Sequence, residues 1–191
     1  MNTSLVSSVL ERLCDRASMM KAVRSFFEGR YVLEVDTPIL TSTAPIDPHI
    51  DILETEVSPQ RKGYFHSSPE YGMKKLLAKG FSNIYQLSHV YRKGEIGPKH
   101  AVEFSMIEWY RSPFSFAQLV EETRELISLF LGDLPYDIVP YGFLLENVHG
   151  INPLTCSLEK LSSFCQSLGF YEATSDRDIY LSFLWDLVEP H

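Results

Sequence analysis

The chain has 191 residues, is 45% hydrophobic and 13% aromatic, and carries a formal charge of −8. That is enough apolar material for one domain with a real core, with or without a small appendage, and it excludes a disordered or fibrous chain. The acidic balance also argues against extensive sequence-independent nucleic-acid binding, which needs a basic face to release counterions.

Residues 4–28 read as an amphipathic helix, with Leu5, Val9, Leu13 and Ala17 at four-residue spacing and Gly29 as its stop. Residues 31–36 are a β-rich run ended by Thr37-Pro38, because proline cannot donate to a sheet ladder. Residues 41–49 read as a loop. Residues 50–57 and 64–66 read as short strands, joined by a polar turn holding Pro59 and Gly63. Ser68-Pro69-Glu70 then starts a helix, with serine as N-cap, proline at the first position and an acid at the positive end of the dipole. Met73, Leu76 and Leu77 form its inner stripe, Lys74, Lys75 and Lys79 face solvent, and Gly80 ends it.

Residues 83–91 and 103–110 are two strand-like runs flanking a basic, glycine-bearing loop, Arg92-Lys93-Gly94-Glu95-Ile96-Gly97-Pro98-Lys99-His100. Arginine, lysine and histidine there suit a polyanion. The second run alternates: Phe104, Met106, Glu108 and Tyr110 fall on one face, and Ser105, Ile107 and Trp109 on the other. An aromatic plate, a carboxylate and a phenol therefore line up beside the loop, a layout for a nucleotide next to an amine-bearing substrate. Ser115 and Gln118 make a capping box for a helix that closes at Gly132. Residues 157–168 and 176–187 read as helices separated at Gly169. This order argues for an α+β fold with an antiparallel sheet. No GxGxxG or Walker loop is present.

The three cysteines, Cys14, Cys156 and Cys165, form no CxxC pair and read as small, mostly buried, reduced thiols of a cytosolic protein. The six histidines are scattered, without ligand spacing to a cysteine, so no protein-held metal site is expected. The N-terminus has no signal-peptide pattern, and no apolar run is long enough for a bilayer.

Three stretches resemble the class II aminoacyl-tRNA synthetases, specifically the lysine branch and, within it, the short paralogue that ligates lysine or β-lysine to elongation factor P. The helix followed by Gly29-Arg30-Tyr31-Val32-Leu33-Glu34-Val35-Asp36-Thr37-Pro38 resembles motif 1. The Ser68-Pro69-Glu70 helix follows, and residues 91–110 resemble motif 2, ending in Glu108-Trp109-Tyr110. The resemblance implies one catalytic domain over 1–191, an antiparallel sheet flanked by helices and incomplete at its C-terminal end. Motif 3 and an acidic lysine- and Mg²⁺-binding segment would follow residue 191 in the family. No anticodon-binding domain is expected, since motif 1 comes almost at once.

By the same resemblance, Arg92 would hold the ATP α-phosphate, helped by Lys93, Gly94 and Glu95. His100 and Ala101 would lie by the outer phosphates, and Phe104 would stack on adenine. Ser68, Pro69, Glu70, Glu108 and Tyr110 would line the amino-acid pocket. ATP and Mg²⁺ would be required. Lysine would become lysyl-adenylate and pass to a protein lysine of elongation factor P or to tRNA, in a cytoplasmic homodimer built on motif 1. The alternative is an inactive remnant that binds nucleotide weakly or only dimerises. Two positions depart from the family: Gly94 stands where an acid is frequent, and Ala101-Val102 follow His100 where Asn-Pro is usual.

Overall fold

The computed structural model describes residues 3–47, 49–172 and 174–188. The chain divides into two compact units, Met1–Leu134 and Pro135–His191. Each has a core of its own.

In the first unit, α1 (Thr3–Glu28) leads into β1 (Leu33–Glu34) and β2 (Leu40–Thr41). The hairpin β3 (Glu54–Ser58) and β4 (Arg61–Phe65) precedes α2 (Glu70–Leu77). The long hairpin β5 (Asn83–Tyr91) and β6 (Glu103–Arg111) precedes α3 (Phe116–Leu131). Two three-stranded sheets result, ordered β1-β5-β6 and β2-β4-β3. The first is mixed, because β1 runs parallel to β5 while β5 and β6 are antiparallel.

Alternation along the long hairpin sorts its side chains as its sequence predicts. Tyr85, Ile107 and Trp109 turn toward α1 and α3, where Val23, Phe26, Phe27, Val32 and Leu126 complete the core. Phe27 is fully buried and stacks on Tyr85 with ring centroids 4.3 Å apart. The opposite face carries Gln86, Glu108, Met106, Phe104 and Tyr110 and is left for the site.

Four expectations need correction. The buried stripe of α1 is Val23, Phe26 and Phe27, whereas Val9, Leu10 and Leu13 are exposed; the helix already meets the sheet at Arg16, whose Nη2 donates to Ser105 Oγ at 2.6 Å. Gly63 lies inside β4, not in a turn. A side chain there would meet Val57 Cγ2 at 2.6 Å and Leu40 Cδ1 at 2.9 Å, so glycine lets three strands close up. The turn is made instead by Gln60 at φ 67°. The 31–36 run pairs over only two residues, because Tyr31 sits at φ 56° and Thr37 bonds a side chain rather than the ladder. The 41–49 loop begins one residue later, since Thr41 still pairs with Tyr64; Pro48 lies outside the described residues.

The second unit holds α4 (Tyr141–His149), α5 (Leu158–Ser167) and α6 (Arg177–Asp186) around Leu145, Leu161, Cys165, Tyr180 and Leu184. Ser157 and Asp176 cap the last two helices. Helix α4 is not marked in the sequence. All three cysteines are free thiols, but of the three expected to be mostly buried only Cys165 is; Cys156 is half-buried and Cys14 exposed. No helix among the described residues is long and apolar enough to cross a membrane.

A candidate nucleotide and amino-acid site

The loop between β5 and β6 encloses a cleft of about 810 Å³, within the range of small-molecule sites. Arg92, Gly94, Glu95, His100, Ala101 and Phe104 line it, as the sequence suggests, and so do Ile96, Pro98 and Lys99. Lys93 is not among the lining residues. Its backbone N–H donates to Asp51 O at 2.8 Å, and its charge helps hold the Glu54 carboxyl below its ordinary range, after the stronger pull of Lys62. Gly94 takes φ +80°, a conformation side chains rarely adopt, so a glycine there lets the loop turn back.

Arg92 is anchored through its backbone N–H on Val102 O at 2.9 Å. Its guanidinium lies over the Phe104 ring, 5.1 Å from the centroid, and 3.6 Å from Glu95 Oε1. The Glu95 carboxylate thus stands by the arginine although position 94 carries no acid. Arg92 is about a quarter exposed and its Nε has no protein partner. It offers several N–H donors in a fixed fork, the geometry that suits phosphate.

A second group forms farther along the same face. Pro69 is fully buried and precedes the first turn of α2. The helix starts one residue later than the sequence suggests, with Pro69 itself at the cap. Ser68 is thus not the N-cap, although its Oγ accepts the Glu70 N–H at 3.2 Å, a free donor of the first turn. The Glu70 carboxylate accepts from Lys74 Nζ one turn on. That bond, then the nearby charges including Glu108, raises the Lys74 ammonium above its ordinary pKa. Tyr110 O–H donates to Glu108 Oε1 at 2.8 Å. Burial first, then that bond and the Glu70 charge, push the Tyr110 phenol up, so it is a neutral donor at ordinary pH.

Tyr110 therefore sits within electrostatic reach of both Glu70 and Glu108, and Lys74, paired with Glu70, feels both acids. A pair of carboxylates with one internal cation leaves room for an incoming ammonium. The sequence reading treats Lys74 as solvent-facing; the signal for its partner is the four-residue step from Glu70. Ser68 also lines a separate cavity of about 470 Å³ with Asp36, Thr37, Tyr71, Lys75 and the buried His66. His66 Nε2 lies 2.8 Å from His89 O.

Residues 4–139 match the family model for tRNA synthetases class II (D, K and N). Three curated relatives carry the name elongation factor P–(R)-β-lysine ligase. The protein of Actinobacillus succinogenes is 38% identical over 188 residues, covering 95% of this chain and 58% of that protein. That of Pasteurella multocida is 35% identical over 192 residues, with 97% and 59% covered. That of Haemophilus ducreyi is 37% identical over 189 residues, with 95% and 58% covered. The chain spans about three fifths of the length of these relatives.

Proposed function

Because this chain belongs to the class II tRNA synthetase family (D, K and N), we propose that it is a ligase that activates lysine, or a β-amino isomer of it, with ATP. The observation that carries this is one sheet face with Arg92 over Phe104 at one end and Glu108 and Tyr110 at the other, where Glu70 of α2 adds its charge. A lysine carboxylate oxygen attacks the α-phosphorus, a C–O–P linkage forms, and the bond to pyrophosphate breaks. Arg92 faces the charge that develops on the α-phosphate oxygens; Lys99 and His100 lie by the leaving phosphates. Preorganised donors of this kind lower barriers because they need no reorientation during reaction. Phe104 offers its ring to the purine. The carboxylate pair takes the substrate ammonium, with Ser68 and Pro69 holding Glu70 at the helix start.

No cluster of three or more His, Cys, Asp or Glu is gathered to hold a metal among the described residues. Mg²⁺ would come with the ATP phosphates, and Glu95 is the carboxylate that lines the cleft. When bound, it would offset phosphate charge.

The acceptor is a lysine side chain of elongation factor P. Its amine attacks the acyl carbon, loses a proton, and releases AMP. The names of the relatives support this acceptor over tRNA. We read 1–191 as part of one synthetase-like domain in the cytoplasm, paired as a homodimer through the exposed Val9, Leu10 and Leu13 face of α1. The test is lysine-dependent ATP–pyrophosphate exchange, wild type against Arg92→Ala. Exchange that needs lysine and collapses in the variant supports the reading. Nucleotide binding without exchange supports a non-catalytic binding domain instead.

A further inference from the structure

Among the described residues, four buried side-chain nitrogen or oxygen atoms lack a hydrogen-bond partner: Gln86 Nε2, Ser88 Oγ, Arg92 Nε and Arg111 Nε. The last has an ion-pair neighbour, Glu122, at 3.3 Å. The other three share one face of β5 and its extension, because strand residues two or four apart point the same way. Buried polar atoms are nearly always paired, so three orphans in one row call for a reason.

The orientation of the Gln86 amide is fixed by its neighbour. Thr37 N–H and Thr37 Oγ–H both donate to Gln86 Oε1, at 3.0 and 2.9 Å. A backbone N–H can only donate, so the oxygen must face Thr37 and the two N–H donors must turn the other way. Gln86 is 1% exposed. Strand pairing sets Gln86 opposite Glu108, Ser88 opposite Met106 and Val90 opposite Phe104. The orphaned amide and hydroxyl thus lie between the carboxylate–phenol group and the Arg92–Phe104 group.

We infer that Gln86 and Ser88 bind the carboxylate of the amino-acid substrate, the group that becomes the acyl end of the adenylate. This rests on the proposed activation reaction and adds two contacts to it. Donors already stripped of water incur little further desolvation when they meet an anion, and they face where it must sit, between its own ammonium and the nucleotide phosphate.

The experiment is calorimetric titration of the full chain with lysine, with lysinol, and with lysyl-sulfamoyladenosine. Ser88→Ala removes a hydroxyl that bonds nothing in the protein, so melting of the free chain should not fall. Gln86→Glu keeps the acceptor for Thr37 and replaces the donors. Each variant should weaken lysine and the adenylate analogue about tenfold, and lysinol, which has no carboxylate, by less than twofold. Equal affinities in wild type and variants, or equal losses for lysine and lysinol, would overturn the inference alone. A wild-type chain that binds none of the three would overturn it together with the activation reaction.

Discussion

Glu122 offers the sharpest energetic test of how the site-bearing hairpin is fixed. Its carboxylate is 5% exposed. It accepts Trp109 Nε1–H at 3.1 Å and lies 3.3 Å from Arg111 Nε and 3.9 Å from Arg30 Nε. Arg111 is itself only 10% exposed, whereas Arg30 has a second acid, Glu125, at 2.6 Å. Glu122→Gln keeps an acceptor for Trp109 but strands the Arg111 charge. Breaking a buried pair from one side costs about 3–5 kcal/mol. The retained hydrogen bond places this case near ~3 kcal/mol. With a urea slope of about 2 kcal/mol/M, the midpoint should fall by roughly 1.5 M. The assay is urea unfolding followed by Trp109 emission in a Trp185→Phe background. Glu125→Gln, a half-exposed pair, should cost no more than about 1 kcal/mol. A Glu122→Gln midpoint within about 0.3 M of its parent would refute the claim that Arg111 depends on this acid.

Other perturbations probe the site. Arg92→Ala should lower lysine-dependent exchange by roughly 10²–10³-fold, the usual loss for one preorganised charge donor, while thermal melting stays nearly constant. Gly72→Ala should destabilise by about 1–2 kcal/mol net in calorimetric melting. The new methyl would lie 2.6 Å from the Thr37 side chain, and this overpacking outweighs the roughly 1 kcal/mol that alanine gains in a helix. The Tyr85 and Tyr110 phenols are raised above 10, in both cases mainly by burial. The unfolded chain loses those protons first as pH rises. Their contribution is therefore complete below about pH 10 and declines as pH climbs toward the folded values. Ultraviolet titration should show a late-ionising group led by Tyr85 and Tyr110 and joined by Tyr91 and Tyr141, whose phenols are also raised, with stability falling only above pH 10; ionisation of all ten tyrosines near 10 would contradict it.

Much of this was legible because the signals are local. Alternation alone separated Ile107 and Trp109, which the structure packs into the core, from Phe104, Glu108 and Tyr110 on the other face, and β5 and β6 begin where the pattern begins. The Ser115–Gln118 capping box forms with both reciprocal bonds. What was missed depends on contacts distant in the chain. Helix α4 contains Gly142, a weak helix residue, where an added Cβ would lie 2.7 Å from Leu154 Cδ1. Gly63 looked like a turn for the same reason. Gln86 carries no local mark; its meaning comes from Thr37, 49 residues away, and from the strand pairing with Glu108.

The most direct test is a crystal structure of the chain with a lysyl-adenylate analogue bound. The account predicts purine on Phe104, the phosphate mimic on Arg92 and the substrate ammonium between Glu70 and Glu108. Analogue seated instead in the cavity beside His66 and Tyr71, with the hairpin face bare, would contradict it.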